Sequence, residues 1–269
     1  MCTFKDVSHL FTLLLLIFKL QTGHAAPAPM STQQTNLQQL HPPGGKRNAD
    51  WILDFYGDNI YLNEDDKKAF VKNLDHLVVG DIRSDCPGGF SKGIYTLLKD
   101  YDAGGINYDK DKVLIKVIGG VENSKSKVDY RAWGEVKALK DVGLYIDSGM
   151  ANVDHGNYPV IVMKMVEGVR IQDTIEYKDA NPDQKLKLLE EAKPHIRKEV
   201  VYFAVEKGIL HADSHLGNFL VGGTRTSKGL VLEIPITKVQ LVDWGYPGVF
   251  KVKKGVTKAE VEEWFDLDW

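Results

Sequence analysis

The chain has 269 residues, 43% hydrophobic and 26% charged, with a formal charge of −3. It is long enough for a sizeable core or two lobes, and its composition excludes a fibrous or wholly disordered protein. Near-balanced charge leaves no basic footprint, which argues against nucleic acid as a partner.

The first apolar run, LFTLLLLIF at Leu10–Phe18, is too short to cross a bilayer as a helix. Lys5 before it, with Gly23 and Ala25 in a small-x-small pattern after it, predicts a secretory signal peptide over 1–25, cleaved after Ala25. A buried amphipathic helix is the alternative. Residues 26–47 are rich in Pro, Gln, Ser and Thr and are expected to form a disordered linker or pro-region ending at the dibasic pair Lys46-Arg47. Of the 2 cysteines, Cys2 would leave with the signal, so the mature chain would keep only Cys86 and form no internal disulfide. These features predict an exported protein with no membrane span after signal removal.

Globular composition begins near Asn48. DWILDFYGDN reads as a short helix, and NEDDKKAFVKNLDHL as a longer one with acids in its first turn. Strand composition follows at 76–82 and 93–101, separated by the loop RSDCPGGFSKG with Gly88, Gly89 and Gly93. KVLIKVI at 112–118 is a third strand carrying one charge, Lys116. A helix is expected near 126–141, with Ser126 and Asp129 as a capping box and Val128, Ala132, Val136 and Leu139 on one face. GLYIDSGM and YPVIVMKMVEG give two more strands.

From Pro182 to Gly208, Leu186, Leu189, Ile196, Val200 and Phe203 recur at helical spacing, with Pro194 expected to restart the helix. FLVGG and KVQLVDWGYPG form a strand pair, and Thr257 with Glu260 caps a last helix. The boundary between a sheet-bearing part, 48–168, and a shorter, mainly helical part, 169–269, falls just after Gly168. The class is α+β.

Four polar features sit inside or just after apolar elements. They are Lys116, Glu135, the pair Asp213 and Asn218 in HADSHLGNF, and Asp243 at the end of VQLVD. Such groups are costly to bury unless paired or bound to a ligand. Phosphoryl transfer from ATP needs this set: a lysine for the phosphates, an acid for the lysine, an acid facing the acceptor hydroxyl, and oxygen ligands for magnesium.

HADSHLGNF followed by LVDWG resembles the catalytic and metal loops of the protein-kinase-like superfamily, H-x-D-x-x-x-x-N and then D-x-G. VLIKV resembles the strand bearing the phosphate-binding lysine, and VMKMVEG, with Met165, the segment joining the lobes. The HADxHxGN spelling is similar to atypical branches, the UbiB-type kinases and the aminoglycoside and choline kinases. The resemblance covers roughly 76–250. It implies a two-lobed kinase-like fold, a small antiparallel sheet lobe with one helix above a shortened, mainly helical lobe, that binds ATP and Mg2+.

Carried over residue by residue, Asp213 would orient or deprotonate the hydroxyl and Asn218 and Asp243 would hold magnesium. Lys116 would contact the phosphates, with Glu135 holding Lys116 in place. Gly88, Gly89 and Gly93 would let backbone cover the phosphates, and Met165 would lie beside the nucleotide. His211 would support the loop, and His215 has no assigned role.

Other readings stand beside this one. Lys116 could snorkel from a strand, Glu135 could be a solvated helix residue with Glu122 as its rival, and GGFSKG is not G-x-G-x-x-G. His211, Asp213 and His215 alternate and could bind zinc or manganese if they lay on a strand. With 24 residues after Gly245 and no A-P-E segment, a kinase-like binding protein or effector without turnover is the main functional alternative. The acceptor could be a protein or a small molecule.

Overall fold

The first element, β1 (Ile52–Phe55), is a strand where the sequence pattern suggests a short helix. The computed structural model describes residues 49–84, 91–119 and 128–268. The signal and linker segments, Cys86, Gly88, Gly89, Glu122 and Ser126 therefore lie outside the described residues. β1 is rich in bulky side chains, and long-range pairing decides between helix and strand for such a short run. The expected second helix is also replaced. A single 3-10 turn, Asp66–Lys68, is closed by Asn63, whose side chain accepts from the backbone of Asp66 (2.8 Å) while Asp66 accepts from Asn63 N–H (3.0 Å). The chain beyond it is captured by a sheet edge: Leu74 N–H donates to Met150 O and Met150 N–H to Lys72 O, both at 2.8 Å.

That sheet is antiparallel and five-stranded. It comprises β2 (Val79–Ser84), β3 (Ser91–Leu97), β6 (Val113–Ile118), β7 (Tyr145–Val153) and β8 (Gly156–Lys164), ordered β2-β3-β6-β8-β7. Between β3 and β6 lies a hairpin of β4 (Tyr101–Ala103) and β5 (Ile106–Tyr108), paired Ala103 to Ile106. Its two-residue turn, Gly104-Gly105, needs φ of 57° and 79°, which glycine adopts without steric cost.

Alternation along β6 places Val113, Ile115 and Val117 in one core with Leu97, Tyr101 and Val160. Ile118 faces the opposite side and joins the second core, which holds α1 (Tyr130–Asp141) and the C-terminal half. Lys116 shares the face of Ile118 by the same period of two. The expected α1 face is buried as read: Val128, Ala132, Val136 and Leu139 are all 6% exposed or less. Its N-cap is Asp129, whose carboxylate accepts from Arg131 N–H.

The C-terminal half begins with α2 (Ile175–Asp179) and α3 (Pro182–Tyr202). Asn181 and Gln184 close a capping box, and Pro182 occupies the first turn, where no donor is needed. α3 runs unbroken through Pro194. Pro194 and Glu190, whose carbonyl loses its donor, both lie on the exposed face, while Leu189, Ala192, Ile196 and Val200 anchor the other face in the core. Leu186, expected on the buried stripe, is 45% exposed. A π-turn at Phe203–Lys207 ends at Gly208, φ 68°.

Short strands follow. β9 (Ile209–His211) pairs with β14 (Val249–Val252), which also pairs with β1, giving the sheet β1-β14-β9. β10 (Phe219–Val221) pairs antiparallel with β13 (Val239–Leu241), as expected, and β11 (Gly223–Thr226) with β12 (Gly229–Leu232). α4 (Lys258–Asp268) starts with the expected capping box, Thr257 hydroxyl and N–H both donating to Glu260 at 2.7 Å. The fold is thus mixed α+β with antiparallel sheets, as the sequence implies. Among the described residues no helix is long and apolar enough to cross a membrane.

Ile196 is fully buried in the shared core. Ile196→Ala is expected to lower unfolding free energy by about 2–5 kcal/mol, from lost transfer energy plus the cavity left behind. Leu186→Ala should change it by less than about 0.5 kcal/mol. Urea denaturation midpoints at unchanged slope will check both.

Candidate active site

Three elements converge on one amine. Lys116 Nζ, from β6, donates to Glu135 Oε1 of α1 at 2.6 Å and to Asp243 Oδ1 just beyond β13 at 2.8 Å. Glu135 lies on the buried stripe of α1 with Ala132, Val136 and Leu139, so its carboxylate reaches inward instead of into solvent. The side chains of Lys116 and Glu135 are 11% and 8% exposed, whereas Asp243 is 52% exposed. The pair therefore forms the closed end of the site, and Asp243 its open side.

The same geometry sets the ionisation. Burial alone would lower the Lys116 pKa, but Glu135 and Asp243 outweigh it and hold the ammonium above the ordinary lysine value. The neighbouring Lys116 charge depresses Asp243 below the usual carboxylate range. Burial raises Glu135, against the pull of Lys116.

Asp243 has φ 62°, the left-handed region that a non-glycine residue rarely enters and that Asp tolerates better than most. The next residue, Trp244, is only 2% exposed. Its ring meets Phe203 (centroids 4.6 Å) and His211 (4.9 Å) edge to face, and its Nε1–H donates to Leu241 O. Trp244 thus anchors the turn that aims Asp243, a role the sequence pattern did not single out.

Asn218 and Asp213 occupy the loop between β9 and β10. Pairing of Phe219 with Leu241 sets Asn218 opposite Val242, whose N–H donates to Asn218 O at 2.9 Å, so Asn218 and Asp243 become spatial neighbours. Asn218 Nδ2 donates to both the backbone oxygen (2.9 Å) and Oδ2 (3.0 Å) of Asp213. This fixes the Asp213 carboxylate and leaves the Asn218 amide oxygen as the atom for a cation. Asp213 is 41% exposed, so its carboxylate is open to solvent.

Two glycines permit these approaches. A Cβ on Gly245 would stand 2.9 Å from Glu135 Oε2, and one on Gly248 would stand 2.6 Å from Asp213 Cβ. Gly248 O also accepts from Ala212 N–H at 2.8 Å, which ties the Asp213 loop to the segment after Asp243.

His211 is fully buried, and burial depresses its pKa. Its Nε2 lies 2.9 Å from Val242 O; a carbonyl can only accept, so Nε2 carries a proton, and the depressed pKa leaves the ring neutral. His215 accepts from Gly217 N–H at Nδ1 (3.0 Å) and sets Nε2 3.8 Å from Asp213 Oδ2. β9 ends at His211, so the alternation required for a zinc site is lost. Among the described residues no three His, Cys, Asp or Glu side chains gather as metal ligands. The oxygens of Asn218 and Asp243 suit a hard divalent cation that keeps water and phosphate as its other ligands.

Gly93 lies within β3 at φ 150°, and Gly88 and Gly89 fall outside the described residues. Met165 directly follows β8; its N–H donates to Lys112 O at 2.8 Å and its sulfur lies 2.6 Å from an Arg83 nitrogen.

Residues 153–262 match the family model of the ABC1 atypical kinase-like domain. No curated protein matches the chain. Similar solved structures include WaaP in complex with acyl carrier protein, 14% identical over 72% of this chain and 68% of that one, with a TM-score of 0.33. Another is the complex of Rio2 kinase with ADP/Mg2+ and phosphoaspartate from Chaetomium thermophilum, 18% identical, with a TM-score of 0.32. That match covers 72% of this chain and 54% of the Rio2 chain.

Removing one partner from the buried pair leaves the other uncompensated. Lys116→Met is expected to destabilise the fold by about 3–5 kcal/mol at neutral pH, and Lys116→Met with Glu135→Leu to recover most of that loss. Glu135, already raised by burial and now without its cation, binds a proton more tightly folded than unfolded. Its contribution is therefore present below the unfolded carboxylate pKa and lost as pH rises through the folded one. The single variant should accordingly lie closest to wild type in acid and fall furthest behind above that window, measurable as unfolding free energy against pH.

Proposed function

We propose that the chain is a phosphotransferase of the kinase-like type, moving the γ-phosphoryl group of Mg·ATP to a hydroxyl on a protein or small-molecule acceptor. The observation that carries this reading is the single amine of Lys116 bridged to Glu135 at 2.6 Å and to Asp243 at 2.8 Å. Phosphoryl transfer asks little covalent chemistry of the protein and depends on positioning and charge.

Asp213, held by Asn218, accepts the hydroxyl proton as the acceptor oxygen bonds to the γ-phosphorus. The bond from that phosphorus to the β–γ bridging oxygen breaks, and its electron pair leaves with ADP. Lys116 remains protonated and faces the phosphate oxygens. Asn218 and Asp243 would hold magnesium, which neutralises phosphate charge when bound. The open side of the site carries two carboxylates, Asp213 and Asp243, and Lys116 is already paired with Glu135 and Asp243. Those carboxylates disfavour a bare triphosphate, so nucleotide and metal bind together.

Incubation of the full chain with labelled ATP and magnesium, offering itself, generic proteins and small alcohols as acceptors, tests this. Wild type should transfer label. Asp213→Asn should lower transfer at least about 10²-fold, the size of a general-base contribution, while Mg·ATP binding persists. Asp243→Ala should abolish magnesium-dependent nucleotide binding. Equal transfer by wild type and Asp213→Asn would reject the proposal, and nucleotide binding without transfer to any acceptor would favour a kinase-like binding protein.

Export is part of the same proposal, resting on the sequence of 1–25 alone. Expression of the whole gene product in a secreting host, followed by N-terminal sequencing, should return Ala26 as the first residue of the exported protein.

A further inference from the structure

Residues 55–57 lie outside the phosphate-transfer set, yet they join two of its supports. Along one side, β1 pairs with β14: Ile52 opposes Val252, Phe55 opposes Phe250, and Tyr56 N–H donates to Val249 O at 3.0 Å. β14 begins four residues after Gly245. Along the other side the same residues meet α1. Tyr56 donates from its hydroxyl to Asp141 at the end of α1 (2.5 Å), and its ring lies beneath the amines of Lys137 of α1 (5.6 Å) and Lys251 of β14 (5.2 Å).

Gly57 meets Gly134 backbone to backbone: a Cβ on either residue would collide with the Cα of the other, and one on Gly57 would also stand 2.9 Å from Tyr130 O. Phe55 closes the arrangement by packing edge to face on Tyr130 of α1 (6.1 Å) and on Tyr246 of the turn after Asp243 (5.1 Å). Gly134 immediately precedes Glu135.

We propose that Phe55, Tyr56 and Gly57 are positioning residues for the nucleotide site, clasping α1 to β14 and the Asp243 turn so that Glu135 stays on Lys116. The consequence for activity rests on the phosphotransferase reading; the consequence for the ion pair does not. Non-bonded carbons settle at about 3.5–4.0 Å, so a methyl group at position 57 or 134 must force the two backbones apart by about 1 Å. A shift of that size carried by α1 takes the 2.6 Å contact between Lys116 and Glu135 past the roughly 3.2 Å limit of a good hydrogen bond.

The test uses the full chain and two readouts: the Kd for Mg·ATP, and the side-chain ammonium 15N resonance of Lys116, which reports its ion pairs without any ligand. Gly57→Ala should weaken Mg·ATP binding about tenfold, yet by less than about twofold when added to Glu135→Gln, because the contact it disturbs is already gone. An equal loss in both backgrounds, or no loss in wild type, would overturn the clasp in favour of a purely structural strand. If wild type binds no Mg·ATP, the phosphotransferase reading falls. The clasp is then decided by the resonance, which must move in Gly57→Ala; an unmoved signal overturns it.

Should Gly57→Ala fail to fold, Tyr56→Phe deletes only the hydroxyl bonded to Asp141. It should shift the same resonance and weaken binding by about threefold. No change in either quantity would equally sink the proposal.

Discussion

A lysine ammonium placed between a sheet and a helix would be unstable there by several kcal/mol without compensation. Lys116 is tolerable only because two carboxylates from separate elements reach it, Glu135 from α1 and Asp243 from beyond β13. The constraint works in both directions. The strand must face its lysine toward α1, the helix must turn an acid inward on its apolar stripe, and the C-terminal segment must bend through a left-handed residue to deliver the third member. Much of the surrounding architecture follows from meeting those conditions at once.

The bend shows how the chain manages this. Asp243 takes a backbone conformation that costs an L-residue roughly 1–2 kcal/mol. The residues on either side offset it: Val242 accepts the His211 proton on its carbonyl, and Trp244 is buried between Phe203 and His211. His211 thereby links the Asp213 loop to the Asp243 turn without touching either carboxylate. Its neutrality matters, because a charged imidazolium buried there would need its own counter-charge and would compete with Lys116 for Asp243.

Much of this was legible in the sequence, for reasons specific to each element. KVLIKVI has one charge in an apolar strand, and a period of two then fixes the side Lys116 faces. Glu135 stands three residues after Ala132 and four before Leu139, on the stripe that α1 buries, a local signal that Glu122 lacks. β1 reads as a short helix in the sequence because DWILDFY is too short for local preference to decide, and its partner strand lies near residue 250. Pro194 misled for the opposite reason. Its local cost is real, yet it falls on the solvent side of a helix whose other side is held by Leu189, Ala192, Ile196 and Val200. Leu186 matches the helical period but sits one turn before the core begins.

Sequence separation carries a further implication for how the site comes together. Lys116 and Glu135 are 19 residues apart, whereas Lys116 and Asp243 are 127 apart. Closing a longer loop costs only about 0.6 kcal/mol per doubling, so the distant contact is not much less stable once made, but it is slower to find. The closed end of the site is thus built from residues near in sequence, although α1 buries its apolar face against the C-terminal half. Pairing of β14 with both β9 and β1 brings the Asp213 loop and the segment around Phe55 to the same place. The aromatic contacts of Phe55 with Tyr130 and Tyr246 span the seam between α1 and the turn after Asp243, and it is at such a seam that a glycine pair, with no side chain to order, lets two backbones close without further adjustment.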